Sequence, residues 1–174
     1  PERSDVHVWR ASVEDQIWKP ALTVAGVRHI HGVYWDPFSG EFWVTTGDEN
    51  EESKVIITDG QFATRKVLIH GSQQSRIVQP LFTEHFVSFA SDAPNEVNYI
   101  YRYNRCSDSL EPMQQVGGPI YFGQEVDGIL FFSTVVEPSN INSQETVELW
   151  ASSCGELWKR VRAFKKDNLS MRYF

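Results

Sequence analysis

The chain has 174 residues, a formal net charge of −7 and 41% hydrophobic residues, which together suit one globular domain with its own core. The acidic balance argues against nucleic acid as the main partner, because phosphate binding needs a clustered positive surface. The sequence shows no signal peptide and no apolar run of about 18 residues, so we also expect no membrane partner. A signal could lie upstream of this chain, which leaves the compartment open, and the sequence itself favours the cytoplasm.

Short apolar runs separated by turn residues recur with a period of about 45 residues, which is typical of the four-stranded blades of a β-propeller. Residues 1–26 hold two such runs, at 6–9 and 16–23, and predict the outer two strands of a blade. The remaining predicted units are three complete blades at 27–71, 72–118 and 119–167, and the first strand of a further blade at 168–174. We therefore expect a single all-β domain, a partial β-propeller of about three and a half four-stranded blades.

Equivalent positions recur across these copies. The predicted second strands end at 46–48, 90–92 and 135–137, so an acidic residue returns at intervals of 44 and 45 residues. The stretch 156–166 alternates in polarity and predicts a strand rather than a helix. Its basic residues would lie on an outer strand, where they commonly protect an exposed edge.

Three blades cannot cover the two open ends of their own stack. Two interpretations remain open: the chain is a fragment of a longer propeller, or it is a half-propeller completed by self-association. A chain that begins and ends within a blade fits either interpretation.

The turns between the predicted third and fourth strands carry traces of a common motif. The positions kept are Trp18 in 11–18, Asp59 in 57–64, and Gly155 and Trp158 in 151–158, where Ser153 stands at the Asp position; 104–108 keeps none in register. These segments resemble degenerate Asp-box, or BNR, repeats of sialidase-like propellers, Ser-x-Asp-x-Gly-x-Thr-Trp. In that motif the Asp caps a tight turn and the Gly adopts positive φ, so the resemblance implies architecture rather than catalysis.

Two cysteines, Cys106 and Cys154, fall at equivalent turns of successive blades. Because the turns of neighbouring blades diverge outward, their Cα atoms should lie beyond the roughly 7 Å limit for a disulfide. We predict two free thiols.

The blade topology places the loops between second and third strands on the same face as the connections between blades. Unusual polar residues concentrate on that face, which we therefore expect to bind the ligand. The predicted ligand-binding residues are Arg28, His29, His31, Asp48, Gln74, Arg76, Asp92 and Glu137. The acidic stretch 49–52 beside them fits a solvated loop.

Several of these side chains allow more than one role. His29 and His31 lie on the same side of a strand, a spacing that suits a metal, another ligand or structural hydrogen bonds. Since no third and fourth metal ligand is evident, we predict no metal site and no cofactor. Arg76 lies at a corner between blades, where it could bind a carboxylate or loop carbonyls.

The resemblance to sialidase-like propellers implies a carbohydrate or another small polar ligand, with aromatic side chains such as Trp35 or Tyr121 nearby. A complete sialidase site would need three arginines, a Tyr nucleophile with an acid partner, and an Asp as acid/base. Only Arg28 and Arg76 are suitably placed, the Arg-Ile-Pro motif is absent, and every Tyr fits a strand position. We therefore predict a glycan-binding propeller without a complete catalytic site.

Two alternatives stay open. One is a glycoside hydrolase that uses two loop carboxylates, with Asp48, Asp92 and Glu137 as the catalytic candidates. The other is a protein-interaction scaffold, for which these acids would simply end strands and satisfy turns.

Overall fold

The computed structural model describes residues 4–14 and 16–167, and these residues are all-β. They contain fourteen strands, one short 3₁₀ turn at Gln73–Ser75 and no α-helix. The strands form one two-stranded and three four-stranded antiparallel sheets, which do not close into a barrel. The predicted fold class is confirmed.

Each sheet takes its strands in chain order. The two-stranded sheet consists of β1 (Ser4–Ala11) and β2 (Trp18–Val27). The first four-stranded sheet holds β3 (His29–Asp36), β4 (Glu41–Gly47), β5 (Lys54–Asp59) and β6 (Arg65–His70). The second holds β7 (Ile77–Phe82), β8 (Phe86–Ser91), β9 (Asn98–Asn104) and β10 (Ser109–Val116). The third holds β11 (Ile120–Val126), β12 (Ile129–Thr134), β13 (Thr146–Ser152) and β14 (Lys159–Lys165).

The three four-stranded sheets fall within 27–71, 72–118 and 119–167, where complete blades were expected. The basic segment near the end is strand β14, the exposed outer strand of the third sheet. The strand expected at 168–174 lies outside the described residues. The first strands of neighbouring sheets, β3 with β7 and β7 with β11, contact each other. This stacking is consistent with part of a blade-like fold.

Every pair of neighbouring sheets encloses a hydrophobic core. Successive residues of β9 show how one strand serves two of these cores, because its side chains point alternately to opposite faces. Tyr101 and Tyr103 pack with Trp43 of the first four-stranded sheet. Ile100, which directly precedes Tyr101 and has its side chain on the other face, packs with Phe132 of the third sheet. The central sheet is therefore buried on both faces.

The turns at the far ends of the sheets are held by side-chain caps. The Asp59 carboxylate accepts backbone N–H groups of Gln61, Ala63 and Thr64 at 2.8–3.0 Å. In the third sheet Ser152, one residue before the expected position, accepts the N–H of Gly155 at 2.8 Å. Gly155 has φ +68°. Cys106 and Cys154 are both free and exposed, as predicted.

A buried ion pair joins the first and second four-stranded sheets at this far edge. Asp36 at the end of β3 is completely buried, and Arg105 after β9 binds both of its carboxylate oxygens, with Nη2 3.0 Å from Oδ1. The same guanidinium donates to the carbonyl of Thr83 at 3.0 and 3.1 Å. The pair therefore fixes the two sheets against each other at the ends of β3 and β9.

We expect Arg105→Ala to lower the free energy of unfolding by about 3 kcal/mol, because it leaves the Asp36 carboxylate buried without a cation. Urea denaturation measures the change. Lys66→Ala, which removes an ion pair between the exposed side chains of Lys66 and Asp108, is the matched control and should cost far less. Equal losses in the two variants would contradict a stabilising role for the buried pair.

Candidate ligand-binding site

The starts of the first strands and the ends of the second strands meet at one edge of the stacked sheets. Asp48 follows β4 directly, Asp92 follows β8 directly, and Arg76 immediately precedes β7. Together with neighbouring side chains they form what we call the polar cluster. Its members are Arg28, His29, His31, Asp48, Arg76, Asp92, Tyr121 and Glu137.

Four nitrogen-bearing side chains surround the carboxylate of Asp48. The Arg28 guanidinium donates to Oδ2 at 3.0 Å, and His29 Nδ1 lies 3.7 Å from the same oxygen. His31 Nε2 and Arg76 Nη2 each lie 3.8 Å from Oδ1. A single carboxylate thus connects residues of the first four-stranded sheet with the segment that leads into the second.

His31 is held in one tautomer by the neighbouring sheet. Its Nδ1 lies 3.0 Å from the carbonyl oxygen of Ile77, which can only accept, so Nδ1 carries the proton. Burial lowers the pKa of His31, and the charges of His29 and Arg76 act in the same direction against the Ile77 bond and Asp48. The ring is therefore neutral at pH 7, and the Nε2 lone pair faces Asp48.

Arg76 lies between two carboxylates. Its Nε is 2.9 Å from Asp92 Oδ2 but is not aligned for a hydrogen bond, so this contact is an ion pair. Asp92 is only 2% exposed, and burial raises its pKa to about 7, although Arg76 opposes the shift. Glu137 and Asp48 raise it further. Because Asp92 is buried, it positions Arg76 rather than presenting its own oxygens to a ligand.

Tyr121 adds the third four-stranded sheet to the polar cluster. Its hydroxyl donates to Glu137 Oε2 at 2.6 Å. Burial raises the pKa of Tyr121, and the bond to Glu137 and the charge of Asp92 raise it further while Arg76 lowers it. The sequence correctly predicts Tyr121 in a strand, β11, but the pairing with Glu137 spans 16 residues and has no sequence signal.

Gln74 and Glu52 both make contacts within this face that the sequence did not predict. Gln74 uses its whole amide within the protein: it donates to Glu96 and to the carbonyl of Val97, and it accepts from the Tyr101 hydroxyl. These bonds connect the 3₁₀ turn to the loop before β9 and to β9 itself. Glu52 was expected in a solvated loop, but its side chain is buried and accepts the backbone N–H of Arg28 at 3.0 Å. It orders the start of β3.

Gly47 has a role that the sequence did not reveal. A Cβ at this position would lie 2.6 Å from His31 Cε1 and 3.0 Å from Arg76 Cγ, so only glycine lets both side chains cross the end of β4. Trp35, expected near the ligand, lies instead towards the opposite end of β3 against Phe42, with ring centroids 4.9 Å apart. Tyr121, the other aromatic residue expected near the ligand, does belong to the polar cluster.

A cleft of about 420 Å³ opens beside the polar cluster and shares Asp48 and Arg76 with it. Its walls are otherwise acidic and amide side chains and one proline, which come from two loops and the 3₁₀ turn. These other lining residues are Glu49, Asn50, Glu51, Gln73, Pro94, Asn95 and Glu96. The volume lies within the range of small-molecule sites.

No protein-family model matches this chain, and comparison with curated proteins finds no match. Over 4–14 and 16–167, the structure contains no helix with the length and apolar character needed to cross a membrane.

We expect Asp92 to make stability depend on pH. Its pKa rises from 3.8 in an ordinary setting to about 7 in the folded chain, so the folded state binds more protons between those values. The stabilisation is complete below about pH 4 and is lost as the pH rises through 7, by up to about 4 kcal/mol. Asp92→Asn should remove this decline.

Urea denaturation between pH 4 and 8 measures the effect as the difference between the wild-type and Asp92→Asn profiles. Asp127→Asn, in the exposed turn between β11 and β12, is the matched control. Parallel profiles for the wild type and Asp92→Asn would contradict the raised pKa.

Proposed function

We propose that this chain is the ligand-binding part of a sialidase-like β-propeller and that the polar cluster and its cleft bind a carbohydrate. The observation that carries the proposal is the convergence of charged and polar side chains from three sheets at one edge, beside an open polar cleft. The face is the one on which the sequence predicted a site.

The chemistry of the cleft suits a ligand rich in hydroxyl groups. A hydroxyl donates one hydrogen bond and accepts others, so it can pair with carboxylates and guanidinium groups at the same time. Asp48 and Glu96 offer acceptors, Arg76 offers donors, and Asn50 and Asn95 offer both. The ion pair with buried Asp92 restricts the Arg76 side chain. Arg76 would therefore lose less conformational entropy when a ligand binds.

The stacked sheets and the capped turns support the propeller part of the proposal. Blades of a propeller are four-stranded antiparallel sheets arranged around an axis, and ligands commonly bind at the loops of one face. The turns at Asp59 and Ser152 lie at the edge opposite the polar cluster, where Asp-box turns are expected.

We expect a glycan array to show binding by the wild-type chain, and Arg28→Ala to weaken it about tenfold. The reason is that removal of a charge-assisted hydrogen-bond donor typically costs 1.5–3 kcal/mol, roughly one to two decades in affinity. Arg28 is an exposed side chain, so its removal should leave the fold intact.

Arg162→Ala, on the exposed outer strand β14, is the matched control and should bind as the wild type does. Arg76→Ala should weaken binding more, with circular dichroism to verify folding. Glycan binding that survives both Arg28→Ala and Arg76→Ala would exclude the polar cluster as the site.

A second function is glycoside hydrolysis, and the contact between Tyr121 and Glu137 is the observation that favours it. The resemblance to sialidase-like propellers implies a Tyr nucleophile with an acid partner, and Glu137 already accepts a hydrogen bond from the Tyr121 hydroxyl at 2.6 Å. Arg28 and Arg76 would supply two of the three arginines implied by that resemblance. Asp48, the more exposed of the two aspartates, is the candidate acid/base.

If hydrolysis occurs, Tyr121→Phe and Asp48→Asn should each abolish release of the chromophore from aryl glycosides, because each removes a group that touches the reacting atoms. Tyr99→Phe, on strand β9, is the matched control and should retain the rate. Release that persists in Tyr121→Phe would rule out this mechanism, and absence of release in the wild type would favour binding without turnover.

A further inference from the structure

We propose that His29, His31 and Asp48 form a binding site for one divalent transition-metal ion, with Zn²⁺ as the expected occupant. This differs from the expectation of no metal that the sequence alone supports. The proposal concerns the chain by itself and does not depend on carbohydrate binding.

The three side chains already place their ligand atoms together. One imidazole nitrogen from each histidine and one oxygen of Asp48 all lie within 4.8 Å of one another. Tetrahedral Zn²⁺ with bonds of about 2.1 Å needs ligand atoms about 3.4 Å apart. His29 Nδ1 lies 3.7 Å from Asp48 Oδ2, and His31 Nε2 lies 3.8 Å from Asp48 Oδ1. Side-chain rotations that bring both nitrogens towards a single oxygen of Asp48 would complete the geometry.

His31 already makes a hydrogen bond of the kind that orients metal-ligating histidines. A ligating histidine usually donates its other ring N–H to a carbonyl or carboxylate, which fixes the tautomer and the ring orientation. His31 does this with the Ile77 carbonyl, and its Nε2 lone pair therefore faces the Asp48 carboxylate, another acceptor. Two acceptors facing each other at 3.8 Å form a site that a cation between them would stabilise.

The donor set selects the class of metal. Two imidazole nitrogens and one carboxylate oxygen suit Zn²⁺ and its neighbours in the transition series, whereas Ca²⁺ and Mg²⁺ prefer oxygen ligands alone. Three protein ligands leave a fourth tetrahedral position for water or a ligand hydroxyl. The His29 side chain is about half exposed, so the ion can enter from the solvent.

Arg28 and Arg76 are the competing cations at the same carboxylate. Arg28 donates to Oδ2 at 3.0 Å, whereas Arg76 lies farther away and is shared with Asp92. A bound metal would repel Arg28, whose exposed side chain can turn into solvent. Removal of Arg28 should therefore tighten metal binding, an effect that a purely structural role for His29 and His31 would not produce.

Isothermal titration of the EDTA-treated, dialysed chain with Zn²⁺ tests the proposal, and the visible spectrum with Co²⁺ reports the coordination. We expect one ion per chain and a Co²⁺ spectrum of low coordination number. His29→Ala should weaken Zn²⁺ binding by at least tenfold without disturbing the fold, because its side chain is exposed. His31→Ala and Asp48→Asn should weaken it further, and Arg28→Ala should strengthen it.

His70→Ala is the matched control, because His70 lies exposed at the end of β6 outside the polar cluster. It should bind Zn²⁺ as the wild type does. The proposal is overturned if the wild type binds no Zn²⁺ at micromolar concentrations, if His29→Ala binds as tightly as the wild type, or if Arg28→Ala weakens binding.

Discussion

Each four-stranded sheet carries apolar side chains on both faces, and this requirement for cover on both sides determines the rest of the structure. The central sheet shows it most fully, since Tyr101 packs against one neighbour and the adjacent Ile100 against the other. Each buried methylene contributes about 0.8 kcal/mol to the stability of the fold. A misaligned stack would expose some of these groups to water and would therefore be less stable. Alignment of the sheets brings equivalent strand ends to one edge, and the polar cluster exists because equivalent ends carry polar residues.

The polar edge is organised by contacts between charged side chains rather than by apolar contact. Asp48 and Asp92 lie on either side of the Arg76 guanidinium. Burial disfavours the charged form of Asp92, which is why its pKa is raised. A buried ion pair of this kind contributes little net stability but fixes geometry. The chain thus loses some stability at neutral pH in return for an arginine held in one orientation.

Much of this arrangement could be predicted from the sequence, and the failures have a common physical cause. Period-two alternation and regular turns predicted the strands, and the blade topology expected from the repeat then placed His29, Asp48 and Arg76 on one face. The hydrogen-bond partners of individual side chains could not be predicted from the sequence, because side-chain rotamers and packing determine them. Buried Glu52 in an acidic loop and the Tyr121 hydroxyl bonded to a distant carboxylate are examples. The role of Gly47 could not be predicted either, because it depends on the His31 and Arg76 side chains that pack against this position.

The hydrogen bond from His31 to the Ile77 carbonyl joins a side chain of one sheet to the backbone of the next. This contact sets a minimum size for any fragment that could carry the His29, His31 and Asp48 site into another protein. A single four-stranded sheet carries His29, His31 and Asp48 but lacks both Arg76 and the carbonyl that sets the imidazole tautomer. Two adjacent sheets, residues 28–116, are the smallest unit that retains these contacts, so in recombination or grafting the pair of sheets would have to move together.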